Sequence, residues 1–117
     1  IDFRPLISDS GNKRKVLTML VKESETNKEE LVEAIRNKDR MRIKEIIHRM
    51  FPMWEMLGIA EELQEYRNLV HDDSSGDQVM KEWTLKITAS LDRLVSAAGN
   101  EINSLIRQEN EKENTDS

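Results

Sequence analysis

The chain of 117 residues contains no cysteine, which excludes a disulfide framework and thiolate chemistry. Four glycines and two prolines are too few turn formers for a β-rich fold. No apolar run approaches the roughly 18 residues of a membrane span, and no signal peptide is visible. Aromatic residues make up 4% and charged residues 35%, which is typical of helical bundles with long solvated faces. The sequence therefore predicts one soluble, intracellular, all-α domain.

An excess of basic residues is also missing, since the formal net charge is −5. Phosphate backbones are bound by basic surfaces, so we expect no nucleic-acid partner. The sequence has no glycine-rich phosphate loop and no serine–histidine–acid set. A metal site built from Glu45, His48 and His71 would need a loop and a helix to converge, and no spacing indicates one. We predict no metal, no cofactor and, for His71, an ordinary solvated loop position.

Apolar residues spaced by three and four predict a short helix at residues 1–7 and four longer ones, near 12–37, 40–57, 59–70 and 76–107. Asp39 is a candidate N-cap for the third helix of the chain, and Gly58 is suited to end it. Residues 8–11 are predicted to form a turn. A capping box beginning at Ser75 is expected to open the last helix.

Four amphipathic helices joined by short loops predict an up-down-up-down four-helix bundle. The N-terminal helix is expected to act as a lid, laying Phe3 and Leu6 across one end. The predicted bundle occupies residues 1–107. Residues 108–117 contain no apolar side chain, so we expect this tail to be frayed or disordered.

The helix around His48 has a dense apolar stripe. On a helical wheel of about 100° per residue, five side chains fall within roughly 40° of the pole opposite His48, with Trp54 on their shoulder. These five are Ile43, Ile46, Met50, Met53 and Leu57. Because that stripe faces the core, His48 is predicted to face solvent.

The face around His48 mixes both charge signs with apolar groups. Within about 60° of it on the same wheel lie Met41, Lys44, Glu45, Phe51, Pro52 and Glu55. Exposed apolar groups ringed by charge indicate a docking surface. Proline four residues after His48 has no N–H for the His48 carbonyl and its ring crowds that carbonyl, which predicts a kink centred on the histidine.

The spacing of His48 from Leu57 and Gly58, nine and ten residues on, resembles the signature of histidine-containing phosphotransfer (HPt) domains of multistep phosphorelays. In the common form of that motif, lysine and glycine follow the histidine by three and four residues. Here these positions hold Phe51 and Pro52. The run from His48 to Met53 is more similar to a variant in HPt domains of Bacteroidetes hybrid sensor kinases, where a His-Lys-Met-x-Pro-Met pattern recurs.

The resemblance implies that His48 carries a phosphoryl group between the aspartates of receiver domains, on the exposed face of a helix in mid-bundle. It further implies a phosphocarrier without its own ATP site, with Mg²⁺ held by the receiver domain. We expect a cytoplasmic monomer without direct membrane contact, as the C-terminal domain of a membrane-anchored hybrid sensor histidine kinase.

We assign residues to this function by their position relative to His48, on the wheel or in the sequence. Lys44, one turn before His48, and Arg49 beside it are expected to give the phosphoryl group electrostatic support. The predicted docking contacts are Met41, Glu45, Phe51, Pro52 and Glu55. An exposed neutral imidazole is a competent nucleophile near neutral pH, which suits the phosphoacceptor role of His48.

Two alternatives stay open. The phosphoacceptor helices of histidine kinases also carry an exposed histidine with a proline one turn later. They form a two-helix hairpin dimer before an ATP-binding domain with asparagine and glycine boxes, which this sequence lacks. The other alternative is an HPt-like interaction bundle without phosphochemistry.

Overall fold

The computed structural model describes residues 1–7 and 12–115, with side chains at 1–6 and 12–110. Throughout this part of the chain the regular structure is helical, which confirms the all-α fold class. The helices are α1 Arg4–Ile7, α2 Lys13–Arg36, α3 Arg40–Met56, α4 Ala60–His71 and α5 Asp77–Thr115. The turn predicted at 8–11 and the last two residues of the tail lie outside the described residues.

The connection between α2 and α3 takes only three residues. Lys38 adopts a left-handed conformation with φ 54°, and its amide donates to the Ile35 carbonyl at 3.2 Å. The Asp39 amide donates to the Ala34 carbonyl at 2.9 Å, which completes the paired hydrogen bonds of a Schellman end. The Asp39 carboxylate then accepts from the Arg42 amide at 3.1 Å, so the predicted N-cap is confirmed.

Gly58 ends α3 as predicted. Its φ is 71°, a conformation that costs little only for glycine. The Gly58 amide donates to the Glu55 carbonyl and the Ile59 amide to the Trp54 carbonyl, both at 3.0 Å. The chain thereby reverses within three residues and begins α4.

The start of α5 differs from the predicted capping box. The first helical hydrogen bond runs from the Met80 amide to the Gly76 carbonyl at 3.1 Å, so Gly76 occupies the N-cap position. The Ser75 hydroxyl instead donates to the Leu69 and Asp72 carbonyls, at 2.8 and 2.7 Å. Ser75 is therefore used to satisfy the end of α4 rather than the beginning of α5.

The far end of α5 also differs from expectation, because the helix continues to Thr115 instead of stopping at Arg107. The glutamate, glutamine and lysine side chains of this segment have high helix propensity even without an apolar stripe. In addition, Arg14 of α2 lies 3.4 Å from Glu109, which ties this part of α5 to a neighbouring helix.

The helices contact one another in a ring. Helix α2 packs on α3 and α5, and α4 packs on α3 and α5, whereas among the described residues no Cα atoms of α2 and α4, or of α3 and α5, lie within 8 Å of each other. Helix α1 packs on α2 and α3 and is preceded by the buried Phe3. Across the α2–α5 contact, the ion pairs occur in opposite sequence order: Arg14–Glu109, Lys28–Asp92 and Lys38–Asp77.

The core side of α3 is close to the predicted one. Ile43, Ile46, Met50 and Leu57 are buried as expected, and so are Ile47 and Trp54, whereas Met53 is only half-buried. The buried arc is thus turned by about 30° toward Trp54 on the wheel. His48 remains on the opposite side.

Across residues 1–7 and 12–115, no helix combines the length and apolar character needed to cross a membrane.

Candidate functional site

His48 lies in the middle of α3 with its side chain exposed, which confirms the predicted exposure. No hydrogen bond or ion pair joins its imidazole to any other described residue. Its ring is therefore accessible to a second molecule without displacement of any side chain that the structure describes. His71, the other histidine, is also exposed, but it is the last residue of α4 rather than part of the following loop.

Helix α3 continues through Pro52, which is exposed. Because proline has no amide hydrogen, the His48 carbonyl lacks the donor that position 52 would otherwise supply. The exposed proline ring lies one turn beyond the imidazole, on the same face of α3 by the wheel.

One flank of the His48 face is tied to α2. The Arg49 guanidinium donates to the Asn27 side-chain oxygen at 2.6 Å and also pairs with Glu30. Arg42 lies 3.3 Å from the same Glu30 carboxylate and 3.1 Å from Glu45. Arg49, predicted as electrostatic support, is therefore directed at α2 and neutralised there. The reason is geometric, since adjacent helix residues point about 100° apart.

The opposite flank faces α4. Arg40 donates to the Asp72 carbonyl at 3.0 Å, and the guanidinium carbon of Arg67 lies 5.4 Å from the centre of the Phe51 ring. On the wheel Lys44 falls on this same side, about 20° from Phe51 and nearer to His48. Lys44 is half-buried, and its ammonium makes no ion pair with another described residue. Its predicted role is compatible with this placement.

The predicted docking residues are not equally accessible. Met41 is 67% exposed, and Glu45, Pro52 and Glu55 are also exposed. Phe51 is half-buried, because its ring packs against the core on one side and beneath Arg67 on the other. Phe51 therefore contributes an edge to this surface rather than a fully projecting ring.

Sequence reasoning missed Arg67. Its position beside the core residue Tyr66 marks it only as a flanking residue of α4. The pairing of α3 with α4 is what brings it to Phe51, and that pairing is not encoded in the periodicity of either helix.

Among the described residues, no three histidine, aspartate or glutamate side chains are grouped so that they could hold a metal ion.

The function of this surface has to be argued from its own residues. No family model, curated protein or solved structure matches the chain. The features available are an exposed imidazole, cations on the α4 flank, a neutralised α2 flank and a rim of exposed Met41, Pro52 and Glu55.

Proposed function

We propose that this chain is a histidine phosphotransfer module, in which His48 accepts a phosphoryl group from one receiver domain and passes it to another. The proposal is carried by one observation: the His48 imidazole is exposed in mid-helix, opposite the buried stripe, and no side chain at 1–6 or 12–110 bonds to it. The proposed setting is cytoplasmic, within a hybrid sensor histidine kinase. That setting is supported by the motif around His48 alone.

The chemistry requires little from this chain. A neutral imidazole nitrogen attacks the phosphorus of an aspartyl phosphate, an N–P bond forms, and the P–O bond to the aspartate breaks. The electron pair leaves with the aspartate carboxylate, and the reverse step restores the acyl phosphate. Positioning of the acyl phosphate and its Mg²⁺ belongs to the receiver domain, so no nucleotide pocket is needed here.

We infer an up-down-up-down four-helix bundle for α2 to α5. The inference is supported by the ring of contacts and by the opposite sequence order of the pairs across each interface. The α4–α5 interface, for example, is bridged by Tyr66 with Thr84 and by Glu62 with Ser90. Such a bundle holds the middle of α3 rigid, as a transfer site for two successive partners requires.

The docking surface that we propose for a receiver centres on His48. Met41 supplies exposed, adaptable apolar area, and Glu45 and Glu55 supply charge at the rim. Pro52 is short and flat, so it leaves room for a partner to approach the imidazole. Phe51 contributes a ring edge between this rim and α4.

The hairpin-dimer alternative is less well supported. In that arrangement the apolar stripe of the histidine helix would need a second chain to cover it. Here the stripe of α3 is covered by α2 and α4 of the same chain. We therefore predict a monomer, and a tight dimer in sedimentation experiments would favour the kinase-helix alternative.

The decisive experiment mixes the protein with phosphorylated receiver domains and follows acid-labile label. We expect His48→Gln to abolish labelling while leaving helicity unchanged. His71→Gln is the matched control, an exposed histidine one helix away, and should label normally. Label retained by His48→Gln would show that the site is wrong, and a wild-type protein that takes label from no receiver would favour the interaction bundle without phosphochemistry.

A further inference from the structure

A phosphoryl group on His48 would bring close to two negative charges to this face of α3. Cations that contact such a group through charge-assisted hydrogen bonds stabilise it. The identity of those cations follows from which lysine and arginine side chains near His48 are free to turn toward it.

All three arginines of α3 are already engaged. Arg42 and Arg49 share the carboxylate of Glu30 on α2. Arg40 donates to backbone carbonyls at the end of α4. Lys44 on α3 and Arg67 on α4 are the two remaining cations of these helices, and neither has an ion pair or a hydrogen bond to another described residue.

The Arg67 guanidinium lies on the α4 side of the surface around His48. Phe51 follows His48 by three residues, and residues three apart are surface neighbours on a helix. The Arg67 guanidinium carbon lies 5.4 Å from the centre of the Phe51 ring, within the range of a cation–π contact. The ring thus gives a guanidinium from α4 a resting place one turn from the imidazole. A half-buried aromatic ring is better suited to this than an aliphatic side chain, because its face attracts the cation.

We propose that Arg67 binds the phosphoryl group carried by His48 and that Phe51 is the positioning residue that holds the guanidinium in place. This inference rests on the proposed function, which names His48 as the phosphoacceptor. It assigns to α4 a part of the site that otherwise lies wholly on α3. Lys44 completes the positive flank from the α3 side.

The test uses phosphoramidate, a small donor that needs no receiver domain. The imidazole nitrogen attacks its phosphorus, the N–P bond to His48 forms, and the donor's P–N bond breaks as ammonia leaves. We expect Arg67→Gln to lower the rate of His48 labelling about two- to fivefold at about 0.05 M salt, and the difference to shrink at about 0.5 M salt, because the interaction is exposed to screening. Arg67→Lys, which keeps the charge, should recover most of the rate.

Arg107→Gln is the matched control, since Arg107 is exposed on α5 and makes no ion pair with a described residue. It should label like the wild type. Phe51→Leu tests the positioning role: in that background Arg67→Gln should have a smaller effect than in the wild type, which a double-mutant cycle measures. Circular dichroism and urea midpoints separate these effects from loss of fold.

The outcomes distinguish the inference from the function on which it rests. If Arg67→Gln labels like Arg107→Gln while receivers still label His48, the role of Arg67 is overturned and the proposed function stands. If Arg67→Gln slows labelling by phosphoramidate but no receiver labels His48, the cation site stands and the relay function falls. Failure of both donors to label wild-type His48 overturns both.

Discussion

The hydroxyl oxygens of Tyr66 and Thr84 lie 2.6 Å apart in the interior, where they join α4 to α5. The Thr84 hydroxyl donates its proton to the Met80 carbonyl at 2.7 Å, so Tyr66 is left to donate to Thr84. Both side chains are buried. A polar link of this kind inside an apolar interface favours one register of the two helices over its neighbours.

Tyr66 makes stability depend on pH in the alkaline range. Burial raises the pKa of the Tyr66 hydroxyl from 10.0 to about 12. Between these values the unfolded chain loses a proton that the folded chain keeps, so the free energy of unfolding falls as pH rises, by roughly 2–3 kcal/mol in all. Urea denaturation at a series of pH values measures this.

Tyr66→Phe should remove that component of the alkaline slope. Because Tyr66 is the single tyrosine of the chain, tyrosinate absorbance follows its titration directly. A titration midpoint near the ordinary value of 10.0 in the folded protein would contradict the prediction.

Thr84→Val is expected to destabilise the protein more than Tyr66→Phe. The valine leaves the Tyr66 hydroxyl buried without an acceptor, which costs about 1–3 kcal/mol, whereas in Tyr66→Phe the Thr84 hydroxyl keeps its bond to the Met80 carbonyl and the cost is about 1 kcal/mol. Urea midpoints of the two variants decide the order. The reverse order would mean that the hydroxyl pair is solvated in the folded state.

The two helix ends with left-handed residues predict changes of opposite sign. Lys38→Gly should stabilise the protein by about 0.5–1 kcal/mol, because Lys38 has φ 54°. Gly58→Ala should destabilise it by about 1 kcal/mol, through its φ of 71° alone, since a Cβ at position 58 would meet no atom within 4 Å.

Lys38→Ala is the control for the first change, because it removes the exposed 3.4 Å pair with Asp77 without relieving the backbone. Thermal unfolding compares the three proteins. If Lys38→Ala were as stabilising as Lys38→Gly, the backbone conformation would not be the cause.

Phe51→Lys is expected to leave the protein folded but to cost about 1–2 kcal/mol, because a half-buried ring that packs on the core is lost. The new ammonium would also lie beside Arg67, so the choice of receiver, or the affinity for it, should change. Helicity and thermal unfolding are measured first, then labelling rates with several receivers. Complete unfolding would assign Phe51 to the core instead.

Much of the fold follows from local sequence. The steps of three and four, the side chain of Asp39 and the glycine at 58 define helix boundaries through interactions within a few residues, and the structure has them close to where they are predicted. The exposure of His48 could be predicted equally well, because it follows from the apolar stripe of a single helix. Local patterns did not predict the two ends of α5. At its start Ser75 donates to a carbonyl of α4, and near its far end Glu109 contacts Arg14 of α2.

The candidate site was predictable only as far as one helix could define it. Arg49 follows His48 in sequence, and a wheel turns it about 100° away, but neither reveals that Glu30 and Asn27 of α2 lie opposite it. It places Phe51 on the exposed face but does not reveal that Arg67 covers its ring. Both are contacts between helices. They depend on which helices flank α3 and on how those helices are shifted along its axis.

Helix α3 is held on both edges. On one edge Arg42 and Arg49 pair with Glu30, and on the other Arg40 and Phe51 contact α4. These contacts affect the entropy lost when a partner binds. The backbone around His48 is already ordered in the free protein. Binding of a partner therefore orders only the two side-chain torsions of His48 and a few rim side chains such as Met41. Little ordering entropy is then lost on each visit. If the proposed transfer function holds, complexes with successive receivers can form and dissociate without a change in the conformation of α3.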